Sequence, residues 1–278
     1  MTRTFTRLAI LTVALFVVAS VTAQAANRKI TKVAGDVYRF QNNFHYSLVT
    51  VTNDGVVVVD PINTNAAIWL KRNLSEITDK PITHLIYSHS HADHASGGAE
   101  LGAGTVIAQE NAPPTIDGVA PTMRFADEKK LEIGGKTFEL TWLGKGHGDD
   151  LIAVIVRPEN VAFITDVSAP KRLPYRTMPS SSIDGWIDQV KKIETLDFEI
   201  FAPAHGNVGV KADNKDFLTY LLTLRSEVLA GLKAGKSIED LKTSVTLDAY
   251  KSWLQYDAWR ALNVQGMAQF LIRSGQVN

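Results

Sequence analysis

The 278-residue chain contains no cysteine. No disulfide can staple its fold, even in a compartment that would permit one, and any metal must rest on imidazole and carboxylate rather than thiolate. An excess of one charge is also lacking: 29 Lys and Arg stand against 29 Asp and Glu, with no basic block, which removes the electrostatic footprint of a nucleic-acid binder. No Gly-x-Ser-x-Gly segment occurs, so the nucleophile elbow of a serine hydrolase is missing. The apolar run Leu8 to Val21 falls short of the ~20 residues a membrane span needs, and no later stretch does better.

That first run fits another use. Arg3 and Arg7 precede its body, and Ala23-Gln24-Ala25 offers small residues where a signal peptidase reads. Residues 1–25 are therefore predicted to be a secretory signal, with an uncleaved anchor as the alternative. The mature chain would begin near Ala26 as a periplasmic or secreted protein with no membrane contact after cleavage. A hydrophobic content of 45% is enough for one large domain with an appendage.

Strands are predicted over 30–40 and 45–52, followed by a turn at Asn53-Asp54-Gly55 and a buried strand, Val56 to Val59. Ala67, Leu70, Leu74 and Ile77 recur at helical spacing until Pro81 intervenes, and Ile82 to Ser88 reads as a strand. Further strands are expected at 105–108, 136–143, 151–156, 161–164 and 199–202. An amphipathic helix carries Ile183, Trp186, Ile187, Val190 and Ile193. After residue 210 the pattern turns helical (212–234, 237–245, 257–273), with Gly235 as a stop and Ser237 to Asp240 as a capping box. Two strand-rich halves with intervening helices predict an α/β sandwich: two mixed sheets flanked by helices, an αββα arrangement over 26–210, with a helical extension over 211–278 packed on it.

The chain owns only seven histidines, and three of them fall in "YSHSHADHASGG", residues 87–98. His89, His91, Asp93 and His94 thus sit on a loop at the C-terminal end of a predicted strand, where sites collect in layered α/β folds. Neighbouring side chains there can aim at two different points, and their chemistry is that of zinc ligands where thiolate is absent.

His-x-His-x-Asp-His after an apolar strand resembles the signature of the metallo-β-lactamase superfamily. The remaining elements follow in order: Gly144-Lys145-Gly146-His147, Asp166 ending Val161 to Thr165, Ala204-His205-Gly206 after another strand, and upstream Asp60 closing Val56 to Val59. The resemblance implies one metal on His89, His91 and His147, a second on Asp93, His94 and His205, and Asp166 bridging both. It implies two Zn2+ per chain, with iron as the alternative metal. Asp60 would orient the cluster loop by hydrogen bonds, or else cap the following helix. His84 reads as a packed strand histidine and His45 as a candidate substrate contact.

Position 166 separates subfamilies. The best-studied β-lactamases of the superfamily carry cysteine or serine there, whereas glyoxalase II-like thioesterases, lactonases and phosphodiesterases carry the bridging aspartate. Lactonases also place a tyrosine three residues on, where this chain has Ala169, and the basic glutathione motif of glyoxalase II is not found in 212–278. Between Asp166 and the helix lies a segment of three prolines, three bases and Tyr175. It reads either as a solvated surface loop or as a stiff wall in which Tyr175 and Arg176 hold an anionic substrate group.

The expected chemistry is hydrolysis of a small-molecule ester, thioester, lactone or phosphodiester by a hydroxide that two zinc ions bridge, with Asp93 handling its proton. Three alternatives accompany it: β-lactam hydrolysis, a single-iron dioxygenase like the persulfide dioxygenases on His89, His147 and Asp166, and a metal-binding accessory protein without turnover.

Overall fold

The expected first strand is two strands in a computed structural model of the chain, which describes residues 26–277. The predicted signal over 1–25 lies outside the described residues. Gly35 takes φ +49° and turns β1 (Arg28–Ala34) back onto β2 (Val37–Asn42), an angle that side-chain-bearing residues rarely adopt. β3 (His45–Val51) and β4 (Val56–Val59) continue the antiparallel run, with Leu48 opposite Val59. The chain then crosses over through α1 (Thr64–Asn73) to β5 (Ile82–Ile86), parallel to β4. Two short helices, α2 (Ala92–Ala95) and α3 (Gly98–Leu101), lead to β6 (Thr105–Gln109) and β7 (Met123–Phe125). These seven strands form one mixed sheet in sequence order.

The second sheet begins with β8 (Glu128–Ile133), paired with β9 (Lys136–Trp142), β10 (Ile152–Arg157) and β11 (Val161–Ile164) in antiparallel sequence. α4 (Ile183–Thr195) carries the chain over to β12 (Ile200–Pro203), which joins β11 in parallel, and β13 (Gly209–Val210) closes the far edge. The expected sandwich of two mixed sheets is present. Alternation explains its layers, because side chains on successive strand residues leave by opposite faces. Val57, Val59, Ile86, Phe138, Val154 and Phe163 fill the space between the sheets. Val56, Val58 and Leu85 face outward under α1.

The outer face of the second sheet is covered by α4 together with α5 (Lys211–Lys233), α6 (Ile238–Ser244) and α7 (Tyr256–Arg273). Ile155, Ile164 and Trp186 share one buried cluster with Phe217, Leu224, Val264 and Met267, so the C-terminal helices pack on the same core as α4. The capping box is formed: Asp240 N–H donates to Ser237 Oγ, and Ser237 N–H returns a bond to Asp240. Gly235 ends α5 at φ +78°. No helix among the described residues is long and apolar enough to cross a membrane.

Candidate metal centre

All seven predicted ligands come to one end of the sandwich, each from a chain segment that has just left a strand. Asp60 follows β4 and Asp166 follows β11, both in left-handed conformation (φ +65° and +55°) that aspartate tolerates better than most residues. The left-handed turn is sharp, and in each case the acid stays at the strand end instead of leaving with the next loop.

Asp60 is fully buried and holds the histidine loop. It accepts from Ser88 N–H at 2.7 Å and from Ser88 Oγ–H at 2.6 Å. The capping role belongs instead to Asn63, whose Oδ1 accepts from Ala66 N–H at the start of α1. With its proton committed to Asp60, Ser88 Oγ can only accept from His89 Nδ1–H, 3.1 Å away. His89 is therefore set in the tautomer whose Nε2 is a bare lone pair. That buried nitrogen has no hydrogen-bond partner among the described residues, a situation that costs about 1–3 kcal/mol unless something takes the lone pair.

His205 follows the same logic. Its Nδ1–H donates to Phe44 O at 2.9 Å, which leaves Nε2 as a lone pair only 3.0 Å from Asp166 Oδ1. Two acceptors facing each other at that distance require a cation between them or a second proton on the ring. Both arrangements fit a metal bound by imidazole and carboxylate.

His147 is placed by a turn pressed onto α4. A side chain at Gly146 would put its Cβ 2.5 Å from Gln189 Oε1 and 2.6 Å from Trp186 N, so only glycine allows the approach. Gln189, fully buried, accepts from His147 N–H at 2.8 Å and donates to Gly144 O at 2.7 Å and to Gly148 O at 3.1 Å. Trp186 lies edge-on to the His147 ring at 4.7 Å, fixed by its Nε1–H donating to Val167 O at 2.6 Å.

Two sets of donors result, each with ligand atoms within 4.8 Å of one another: His89, His91, His147 and Asp166, and beside them His45, Asp93, His94 and His205. His45 joins the second set as an eighth donor. Its Nε2 lies 3.4 Å from Asp93 Oδ2 and its ring 4.6 Å from that of His205. Asp166 touches both sets: Oδ2 is 3.3 Å from His89 Nε2 and 3.2 Å from His147 Nε2, and Oδ1 is 3.1 Å from His94 Nε2 and 3.0 Å from His205 Nε2. His84 stays on β5, half-buried, with Nδ1 2.9 Å from Thr83 Oγ1 and no part in either set.

The charge balance follows from this crowding. Burial raises the Asp166 carboxyl, but His94 and the His147, His205 and His89 rings crowded against it outweigh burial and hold the group well below the usual carboxylate range. Burial brings His89 down to about 4. In His94 burial is overcome by Asp166, Asp60 and Asp93, and the ring is pushed up to about 9. Asp93 is held low first by His45 and also by His94, against burial.

A cavity of about 780 Å³ opens above the donors. Tyr175, Trp186, Trp259 and Phe44 supply its apolar walls, and Arg172 is a cation on its lining. Tyr175 stands where the sequence placed it, in T-shaped contact with Trp259 at 5.2 Å. Arg176 does not line the cavity: it is exposed, with its guanidinium 5.3 Å from the Tyr175 ring. The 169–179 segment is tied down by α7, where Asn263 Nδ2 donates to Pro174 O at 2.9 Å and to Arg176 O at 2.6 Å. Sequence reasoning missed Ser88, Gln189, Trp259 and Arg172. Gln189 left a signal, since it sits three residues after Trp186 and four before Ile193, on the apolar face of α4.

An αββα sandwich with two adjacent His/Asp donor sets at its strand ends is the fold of a metal-dependent hydrolase. Residues 42–205 match the family model of the metallo-beta-lactamase superfamily, more than half of the chain, which belongs to that superfamily. A curated relative is the alpha subunit of a 2,4-dinitroanisole O-demethylase from Nocardioides sp. (strain JS1661), 27% identical over 186 residues. That match takes in 62% of this chain and 56% of the relative, so the chain spans little more than half of the relative's length. Among solved structures, a metallo-beta-lactamase from Pontibacter korlensis superposes with a TM-score of 0.59 at 20% identity, covering 70% of this chain and 99% of that one. A stereoselective inverting sec-alkylsulfatase from Pseudomonas sp. reaches 0.68 at 13% identity, covering 88% of this chain and 50% of that one. At these identities the likeness is one of fold.

Proposed function

We propose that the protein is an exported dinuclear zinc hydrolase that cleaves an ester, thioester, lactone or phosphodiester-type bond of a small molecule. The observation that carries this reading is the division of Asp166, whose two oxygens lie against different donor sets at 3.0–3.3 Å. His89, His91 and His147 would hold one metal, Asp93, His94 and His205 the other, and Asp166 would be shared, with His45 closing the second set. Two such cations supply a water that ionises near neutral pH and positive charge for the attacked oxygen. The protein's own part is orientation and proton handling. Ser88 and Phe44 O fix the His89 and His205 tautomers, and Trp186 fixes the His147 ring. Asp93, more than half exposed to the cavity and hydrogen-bonded to His45, accepts a proton at Oδ2 and returns it to the leaving group.

A carboxylate at 166 makes an ester-type bond the expected substrate and a β-lactam a weak one. Metal analysis of protein purified without added metal is expected to give about two zinc per chain. One iron per chain with no hydrolysis of β-lactams, lactones, thioesters or phosphodiesters would overturn the reading. A second reading, cleavage of an activated aryl ether, is favoured by the aromatic cavity walls and by the name of the curated relative. Release of 2,4-dinitrophenol and methanol from 2,4-dinitroanisole and water tests it on the same preparation.

A further inference from the structure

Six arginines among the described residues are not fully exposed, and five of them have hydrogen-bond acceptors. Arg28 donates to Asn42 Oδ1, Arg39 to Gly206 O, Arg157 to Glu139, Arg225 to Asp184 and Arg260 to Val245 O. The sixth, Arg172, donates to no group among the described residues and pairs with no carboxylate, although it lines the cavity above the metal donors. A guanidinium carries five N–H donors in a planar fork that matches a carboxylate. None of its nitrogens is sealed from solvent, so the fork stands open to an acceptor that enters the cavity.

Arg172 is nevertheless held in place. Its backbone lies between two bonds to the segment before α7, Leu254 N–H to Lys171 O at 2.9 Å and Leu173 N–H to Leu254 O at 3.1 Å. Its side-chain stem passes over Gly206, where a Cβ would come within 3.2 Å of Arg172 Cδ. The guanidinium ends over the Trp259 ring, 4.7 Å from its centroid, an arrangement that orients the cation while consuming none of its N–H groups. Burial lowers its pKa and the Asp166 charge opposes that, so the guanidinium feels the donor cluster.

We propose that Arg172 determines substrate specificity, and that the substrate is an aromatic ester carrying a carboxylate. The ring packs among Tyr175, Trp186 and Trp259, and the carboxylate takes the Arg172 fork. This rests on the hydrolase reading above for the bond that is cleaved, but not for the binding of the anion. Arg172 is a binding residue in this account; the proton transfers remain with Asp93.

The test uses the zinc-loaded protein and a matched pair: 4-acetoxybenzoate, which with water gives 4-hydroxybenzoate and acetate, and its neutral methyl ester. Wild type is expected to prefer the anionic ester by at least about tenfold in kcat/KM, through KM. Arg172→Gln should remove most of that preference, and Arg172→Lys, which keeps the charge but loses the fork, should restore only part of it. Binding of 4-hydroxybenzoate, followed by quenching of Trp186 and Trp259 fluorescence, should weaken at least about tenfold in Arg172→Gln. Trp259→Leu should weaken both esters together. Equal losses on the two esters in Arg172→Gln, or unchanged 4-hydroxybenzoate affinity, would overturn the proposal. Wild type that binds 4-hydroxybenzoate through Arg172 yet cleaves neither ester would overturn ester cleavage, the part taken from the hydrolase reading, and leave the anion site standing.

Discussion

Around His147 the supports are buried: Gln189 is fully enclosed, Gly146 is pressed against α4, and Trp186 seals the ring from one side. Around Asp93 they are open, with that side chain 56% exposed and its partner His45 29% exposed. His147 is a fixture of the second sheet's helix layer, whereas Asp93 faces the cavity from the four-residue α2. Rigid donors lose little freedom when they bind, while mobile ones trade affinity for the ability to follow a reacting group. The first set is expected to hold its metal more tightly, and the second to sit where proton transfer happens.

Asp166 belongs to both sets, so its loss should produce the largest effect. Asp166→Asn keeps size and most packing but removes the shared charge, and turnover should fall at least about a hundredfold with one metal loosened. The fold should persist, as judged by an unchanged far-ultraviolet spectrum.

Next in size is a paired deletion. His147→Ala should release metal from the first set and His205→Ala from the second, so the two variants should retain one tight metal each, of different affinity. Chelator titration with elemental analysis reads this directly. If both variants keep two metals at wild-type affinity, the assignment of the sets is wrong.

A smaller effect is expected one layer out. Gln189→Leu leaves His147 N–H, Gly144 O and Gly148 O without their partner, so the first metal should weaken about tenfold while the second changes less. The same variant should lose about 1–3 kcal/mol of stability by denaturant unfolding. Equal weakening of both sites would erase the contrast between them.

The smallest concerns the start of α4. Burial raises Asp184, but Arg225 and Gln276 outweigh it and hold the carboxylate below its ordinary value. Its contribution is fully present above the unfolded pKa of about 4 and is lost as pH falls through the lower folded value. Asp184→Asn should therefore cost ~0.5 kcal/mol at neutral pH, given the group's exposure, and less than that at pH 3. Melting curves at the two pH values check it.

Much of the fold was legible because its buried strands and amphipathic helices write their periods plainly. Val56 to Val59, Ile152 to Val156 and Val161 to Ile164 are continuous apolar runs, and α4 repeats at helical spacing. The elements that escaped had no such pattern. β8 reads Glu-Lys-Lys-Leu-Glu-Ile, an edge strand whose charges suit an exposed border and conceal its pairing with β9. β13 is two residues long, set by its contact with β12 alone. The hairpin at Gly35 was hidden because the residues on both sides of it favour strands.

The sequence by itself determined the family, the αββα layering and the dense cluster of His and Asp residues, because ligand chemistry demands particular side chains in a fixed local order. Tertiary structure alone decided that His45 joins the second set and that His147, Asp166 and His205 meet the cluster loop, because all four arrive from strands far apart in the chain. It also decided that Asn63 rather than Asp60 caps α1, and that Ser88 and Phe44 O choose the histidine tautomers. And it replaced Arg176 with Arg172 at the cavity wall: both lie in one basic segment, and only α7, docking through Asn263 and Trp259, settles which of them turns inward.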